Sequence, residues 1–392
     1  MTGTDRHQND GHRNDGHPND RRGVVVTGLA VTTGFGRGVD ALRAGLFSGV
    51  PAFRPVTRFD TSRYRVGVAA EHPDVHDLDD ELVALTDTAC DQAGLSAAER
   101  GTTPVVLARH TDPAVSRLPR TEQAALPIGH TVAELAKRCG LGTPGRTYIN
   151  ACVAASTAIA EAAATIAAGR AERVLVAAGH LVDAESFTTF NAGRALAPDG
   201  RLRPFSTGRK GLLLGDGVGA VVLEAAEARS AARPLARLSG WGMAGDAYHV
   251  CQPHPEGLGM ARAIRAALDR ARLSPSDLGY VNAHGTGTPY NDAAETAALY
   301  RALGEDARGV PVSSTKSFHG HTLQAAGMVE LAVSVVALRA GLLPVNSGFL
   351  GRDPECDLDL VVDEPRRSRA RHVLSLNAAF GGANSALVVS AA

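Results

Sequence analysis

Three observations predict an α/β fold for this chain. Short β-branched runs alternate with helical patterns along its length. Apolar residues make up 44% of 392 positions, enough for a substantial core. A small-residue-rich stretch beginning at Cys152 is echoed by another beginning at His321.

The elements follow in chain order. Residues 1–22 form a polar tail in which HxND recurs at His7, His12 and His17. It lacks apolar periodicity and reads as disordered, with a weak metal-binding tract as the alternative. Order starts at Gly23. Val24–Val26 reads as a buried strand, with a tight turn expected at Thr27-Gly28. Helices are expected near 37–47 and over 79–93. Strands are expected at Val105–Leu107, Arg173–Ala178, Val218–Leu223 and Tyr280–Ala283, paired largely in parallel.

The echo has an offset of 321 − 152 = 169. It aligns Glu161 with Glu330, Ala168 with Ala337 and Arg170 with Arg339. This suggests two copies of one strand-helix unit, with Cys152 and His321 at the start of equivalent helices.

Composition excludes several classes. With 40 basic and 41 acidic residues the net charge is −1, which argues against a nucleic-acid binder relying on a positive field. No run of 18 apolar residues occurs, so no membrane span is expected, and the N-terminus carries no hydrophobic signal segment. Cysteines 90, 139, 152, 251 and 356 form no CxxC pair. A disulfide framework or metal site is therefore not expected, and a cytoplasmic location is. Lysine is scarce: only Lys137, Lys210 and Lys316 occur.

A cysteine at a helix N-terminus tends toward thiolate character, and the free N–H groups there can hold an oxyanion. Cys152 sits at such a place. A small buried residue in an Ala-rich helix is the alternative. His284 stands in VNAHGTGTPYND, where an apolar strand breaks into a Gly/Thr-rich turn, and His321 stands in STKSFHGHTLQAAG, five residues after Lys316. Phe380 stands in NAAFGGAN. Together these make a nucleophile with two imidazoles and a supporting cation. The GxGxG run in LLLGDGVGAVVLE precedes a strand, not a helix, so it does not read as a dinucleotide site.

The motifs NACVAAS, RPFSTGRKGLLLGDGVGAVVLE, YVNAHGTGTPYNDAAE, STKSFHGHTLQAAGMVE and NAAFGGAN, in that order, resemble the β-ketoacyl-acyl carrier protein synthases of fatty-acid and polyketide assembly. The resemblance covers residues 23–391. It implies a thiolase-like, five-layer αβαβα fold of two duplicated halves, 23–240 with the nucleophile and 241–392 with the two histidines. It implies that Cys152 carries the acyl chain and that His284 and His321 hold the extender thioester. Lys316 would orient His321, with Glu330 and Asp292 as structural support. Backbone N–H groups of Cys152 and Phe380 would form the oxyanion hole, Phe380 gating the pocket. Thr286 and Thr288 would contact the phosphopantetheine arm of an acyl carrier protein, with no permanently bound cofactor. The partners implied are that carrier and a second ketosynthase-like subunit, in a homodimer or heterodimer.

The implied reaction is decarboxylative condensation. Non-decarboxylative acyl transfer or ring closure remains open, and a non-catalytic chain-length subunit is disfavoured by Cys152. Departures from the family pattern point to specialised metabolism. His180 stands where glycine is usual, His319 adds an imidazole near His321, and Ala379 replaces a glycine before Phe380. The region 104–147 is short, and Arg109, His110, Arg117 and Arg120 suggest a polar pocket wall. Arg58, Arg63 and Arg65 are candidates for docking an acidic carrier.

Overall fold

The computed structural model describes residues 22–110, 130–229 and 232–392. The tail at 1–21 and most of the expected pocket wall, including Arg117 and Arg120, lie outside the described residues.

The first strand, β1, is Val24–Thr33, buried throughout. The tight turn expected at Thr27-Gly28 does not form: the strand continues there through a bulge between Val26 and Gly28. Glycine is needed there for proximity: a Cβ on Gly28 would lie 2.0 Å from the Ala89 carbonyl oxygen. Helices α1 (Val39–Phe47) and α2 (Leu78–Gln92) follow, the second capped by the Asp77 side chain on the Asp80 N–H. Then come β2 (Val105–Arg109), β3 (Pro144–Tyr148), α3 (Ala154–Ala167), β4 (Arg173–His180), α4 (Ala184–Ala192) and β5 (Gly217–Ala225). The remainder comprises β6 (Ala236–Gly245), α5 (Leu258–Ala271), β7 (Tyr280–Asn282), α6 (Pro289–Leu303), β8 (Val312–Ser313), α7 (Lys316–His319), α8 (Ala326–Ala340), β9 (His372–Ala378) and β10 (Ala383–Ser390).

Ten of these strands share one path, in the order β8-β7-β9-β10-β6-β1-β5-β4-β2-β3. Each set of five has the same pattern, two parallel pairs at the outer end and two antiparallel pairs at the inner end. The sets meet where β1 pairs with β6 through Val25–Arg237 and Val26–Ala236. The expected boundary at 240/241 falls inside β6.

Pairing is therefore mixed, not largely parallel. The connection from β9 to β10 is a four-residue turn, 379–382, and so short a link can join only antiparallel strands. Helices α3 and α8 pack on each other between the two sets of strands, α2 covers the outer face of the first set and α5 that of the second. The result is the five-layer α/β arrangement. Helix α8 and the turn before it are apolar and long enough to cross a membrane, but 83% of that stretch is buried as the central layer.

The backbone corrects the register of the echo. Short 3₁₀ turns, Ala151–Val153 and Leu323–Ala325, lead into α3 and α8. Both helices end at a left-handed glycine, Gly169 and Gly341. These landmarks are offset by 323 − 151 = 172 and 341 − 169 = 172. Cys152 is thus equivalent to Gln324, and the identities at 169 reflect Ala-rich composition rather than structural equivalence.

Candidate active site

The chemistry-bearing residues lie beyond the carboxyl ends of parallel-paired strands, drawn from both strand sets. Cys152 follows β3, His284 follows β7, Lys316 follows β8 and Phe380 follows β9. Cys152 sits in the turn after Ala151, whose φ of 51° is left-handed. His321 lies in the link from α7 to the turn before α8.

His321 Nε2 is 3.1 Å from Cys152 Sγ. The His284 ring meets the His321 ring edge-on, centroids 5.3 Å apart. A cavity of about 300 Å³ joins Cys152, His284, His321, Thr286, Thr288 and Phe380. The Thr286 and Thr288 hydroxyls are 2.8 Å apart on its wall. Phe380 is half exposed and stacks on Phe190 at 5.9 Å. A second cavity of about 240 Å³ lies on the other side, sharing Cys152, Phe190 and Phe380 with the first. Phe380 thus stands between two spaces that both reach the thiol.

Burial pushes the Cys152 thiol up to about 12, opposed only in part by the Lys316 charge. This reverses the lowered value expected from a helix N-terminus. Desolvation of the thiolate outweighs the nearby Lys316 charge, because the side chain lies inside the protein rather than at its rim. Burial, then the Lys316 charge, holds His284 and His321 well below the ordinary imidazole value, so both rings are neutral. A neutral His321 can accept the proton that Cys152 must lose.

Lys316 is fully buried and ion-paired to Glu330, which also accepts from the Asn377 side-chain amide. Burial raises Glu330, against the pull of Lys316. Asp292 accepts from the backbone N–H groups of Phe205 (2.8 Å) and Gly287 (3.2 Å), pinning the Gly/Thr loop.

The sequence reading missed Glu295. Its two oxygens accept from the N–H groups of His284 (2.7 Å) and Gly285 (2.8 Å), and this fixes the histidine's backbone. Asp292 and Glu295 are three apart on one face of the first two turns of α6, directed at a loop whose backbone N–H groups they accept from. That spacing in NDAAE was the available signal.

Other expected residues fall elsewhere. Arg58 is not a docking residue: it is largely buried, pairs with Asp216 at 2.5 Å and donates to the Val182, His72 and Val75 carbonyls. Arg63 and Arg65 are exposed. Arg109 is turned away to an ion pair with Asp79, while His110 lines the second cavity. His319 does not enter the site, being held by the Thr315 hydroxyl and the Gly320 carbonyl. Ala379 bonds across the turn to Ala383, and left-handed backbone is confined there to Gly381 and Gly382. Lys210 lines the mouth of the first cavity, with Asp199 3.7 Å away.

Comparison with known proteins gives the family. Residues 94–229 match the N-terminal domain of beta-ketoacyl synthase and residues 235–349 its C-terminal domain. A putative polyketide beta-ketoacyl synthase 1 of Streptomyces cyaneus is 36% identical, over 94% of this chain and 98% of that protein. The ishigamide ketosynthase/chain length factor superposes with a TM-score of 0.86 at 30% identity, covering 95% of this chain and all of that one. A type II polyketide acyl-carrier protein in complex with its ketosynthase gives a TM-score of 0.84 at 25% identity, with 95% and 100% coverage. With its thiolase-like fold and the site described, the chain belongs to the β-ketoacyl synthases, acyltransferases that form carbon–carbon bonds by Claisen condensation.

Proposed function

We propose that the protein condenses a Cys152-bound acyl group with a malonyl-type thioester carried on the phosphopantetheine arm of an acyl carrier protein. The observation that carries this reading is the 3.1 Å contact of His321 Nε2 with the Cys152 thiol, beside a second neutral imidazole. In the first half-reaction the Cys152 proton passes to His321 and the sulfur attacks the incoming thioester carbonyl. The carbon–sulfur bond to the carrier breaks, and the departing thiolate takes the proton. N–H groups of Cys152 and Phe380 hold the transient oxyanion.

In the second half-reaction His284 and His321 donate to the thioester oxygen of the extender. Its carboxyl carbon–carbon bond breaks, carbon dioxide leaves, and the electron pair becomes an enolate stabilised by these donors. The enolate carbon attacks the Cys152 thioester, and the cysteine sulfur departs as a thiolate that takes up one proton from solvent to restore the thiol. Among the described residues neither histidine has a partner at Nδ1, so none of them locks the tautomer, and one ring can accept in the first step and donate in the second.

Lys316 and Glu330 hold the floor of the site, Asp292 the Gly/Thr loop, and Thr286 and Thr288 the arm. A second ketosynthase-like subunit completes the assembly, as the name of the ishigamide ketosynthase/chain length factor describes for that relative. The test is intact-protein mass spectrometry with acyl and malonyl carriers, with carbon dioxide counted. Acyl mass on Cys152 and one carbon dioxide per bond formed are expected. Label on another cysteine, or condensation without carbon dioxide, overturns the reading.

A further inference from the structure

The second cavity combines apolar walls, Ile149, Phe190 and Leu323 among them, with a polar patch that an alkyl chain alone leaves unmatched. That patch includes His180, Gln324, Asp183 and Glu185. His180 and Gln324 are more than nine-tenths buried. Among the described residues, His180 Nε2 and Gln324 Oε1 have no hydrogen-bond partner. Buried polar atoms are almost always paired, so two orphans on one cavity wall mark groups that pair with something entering it. They come from different places in the fold. His180 ends β4, and Gln324 sits in the turn before α8, at the position equivalent to Cys152.

We propose that this cavity receives the acyl group on Cys152, and that His180 and Gln324 select an acyl chain bearing a neutral oxygen function within its first few carbons. The proposal rests on the reading of Cys152 as the acylated nucleophile and names the class of acyl group it takes. A hydroxyl meets both orphans at once, donating to Gln324 Oε1 and accepting from the His180 ring N–H. A keto oxygen meets His180 or the Gln324 amide N–H. A saturated chain leaves both atoms buried and unpaired, which disfavours its binding. Asp183 and Glu185 on the same wall repel a carboxylate-ended chain. Burial holds His180 down to about 4, so the ring is a neutral partner, suited to an uncharged oxygen.

The test uses the full-length protein and pantetheine thioesters of butanoyl, 3-hydroxybutanoyl and 3-oxobutanoyl groups. They are offered in pairs, and Cys152 loading is read by intact mass. The wild type is expected to load the oxygenated groups on the order of tenfold faster than butanoyl, the effect of one to two hydrogen bonds. His180→Leu and Gln324→Leu should each shrink that ratio, and the double variant should reverse it. Equal or faster butanoyl loading by the wild type overturns the proposal and leaves the nucleophile intact. So does an unchanged ratio in variants that still load. The wild-type competition needs no variant to fold. Failure of every thioester to label Cys152, with label elsewhere, overturns the underlying reading and the proposal with it.

Discussion

Ala151 and Leu323 hold the same left-handed conformation, φ 51° and 42°, each at the head of the turn that leads into one of two central helices. Neither is glycine, so each carries a strained backbone. The strain turns the following residue inward at two related places. One copy presents Cys152, and the other presents Gln324.

The two histidines should separate by half-reaction. His321 bonds to the thiol at 3.1 Å, while His284 lines the same cavity and packs edge-on against the His321 ring. His284→Ala should spare Cys152 acylation and lower carbon dioxide release by about 100- to 1000-fold, the usual effect of one lost donor. His321→Ala should impair both. Equal loss of acylation in the two variants, measured by mass spectrometry over time, contradicts the assignment.

Lys316→Met should be strongly destabilising. It leaves Glu330 buried without its cation, a change that costs about 3–5 kcal/mol in buried pairs. Adding Glu330→Gln removes the stranded charge and keeps an acceptor for Asn377, so the double variant should recover much of the loss. Urea unfolding of the three proteins checks this, and a double variant no better than the single one refutes it.

Arg58 and the Arg63–Arg65 pair should behave oppositely. Arg58→Ala breaks a largely buried contact with the fully buried Asp216 and should lower stability by several kcal/mol. Charge reversal at exposed Arg63 and Arg65 should leave stability nearly unchanged and slow carrier association at low salt. Carrier kinetics unchanged by the reversal remove those two residues from docking.

His319 predicts a pH slope. Burial holds its imidazole down to about 3, so the folded protein stays neutral where the unfolded chain, with a pKa of about 6.5, takes up a proton. In that window the unfolded state binds more protons. Stability therefore falls as pH falls from about 6 toward 3, by about 1.4 kcal/mol per pH unit from this group. His319→Asn keeps a donor toward the Gly320 carbonyl and removes that slope. Denaturant midpoints between pH 7 and 4 should lie on a shallower line for the variant. Parallel lines rule the explanation out.

The motifs around Cys152, His284, Lys316, His321 and Phe380 were legible because each joins a strand end to a small-residue turn within a few positions. The pairing of those motifs across the sheet was not. Local sequence does not encode that His321 reaches back 169 residues to the thiol, nor that Arg58 pairs with a carboxylate 158 residues away. The sign of the Cys152 shift was missed because a helix-terminus argument is local, whereas burial is set by the whole fold. The strand directions were half legible: AFGGAN between two apolar runs is a hairpin signal that outranks the alternation of elements. Glu295 was signalled only by its three-residue spacing from Asp292, and its role emerges from the carboxylate set against the loop it holds.

The scarcity of lysine acquires a practical meaning in three dimensions. Lys316 is sealed beneath its ion pair, while Lys137 and Lys210 are exposed. Amine-directed reagents will therefore find only these two side chains, apart from the terminal amine. One of them, Lys210, stands at the opening through which a pantetheine arm would reach Cys152. A fluorophore or short cross-linker placed there without any engineering would report arrival of a carrier. The arginines that form most of the positive surface would stay untouched by the dye.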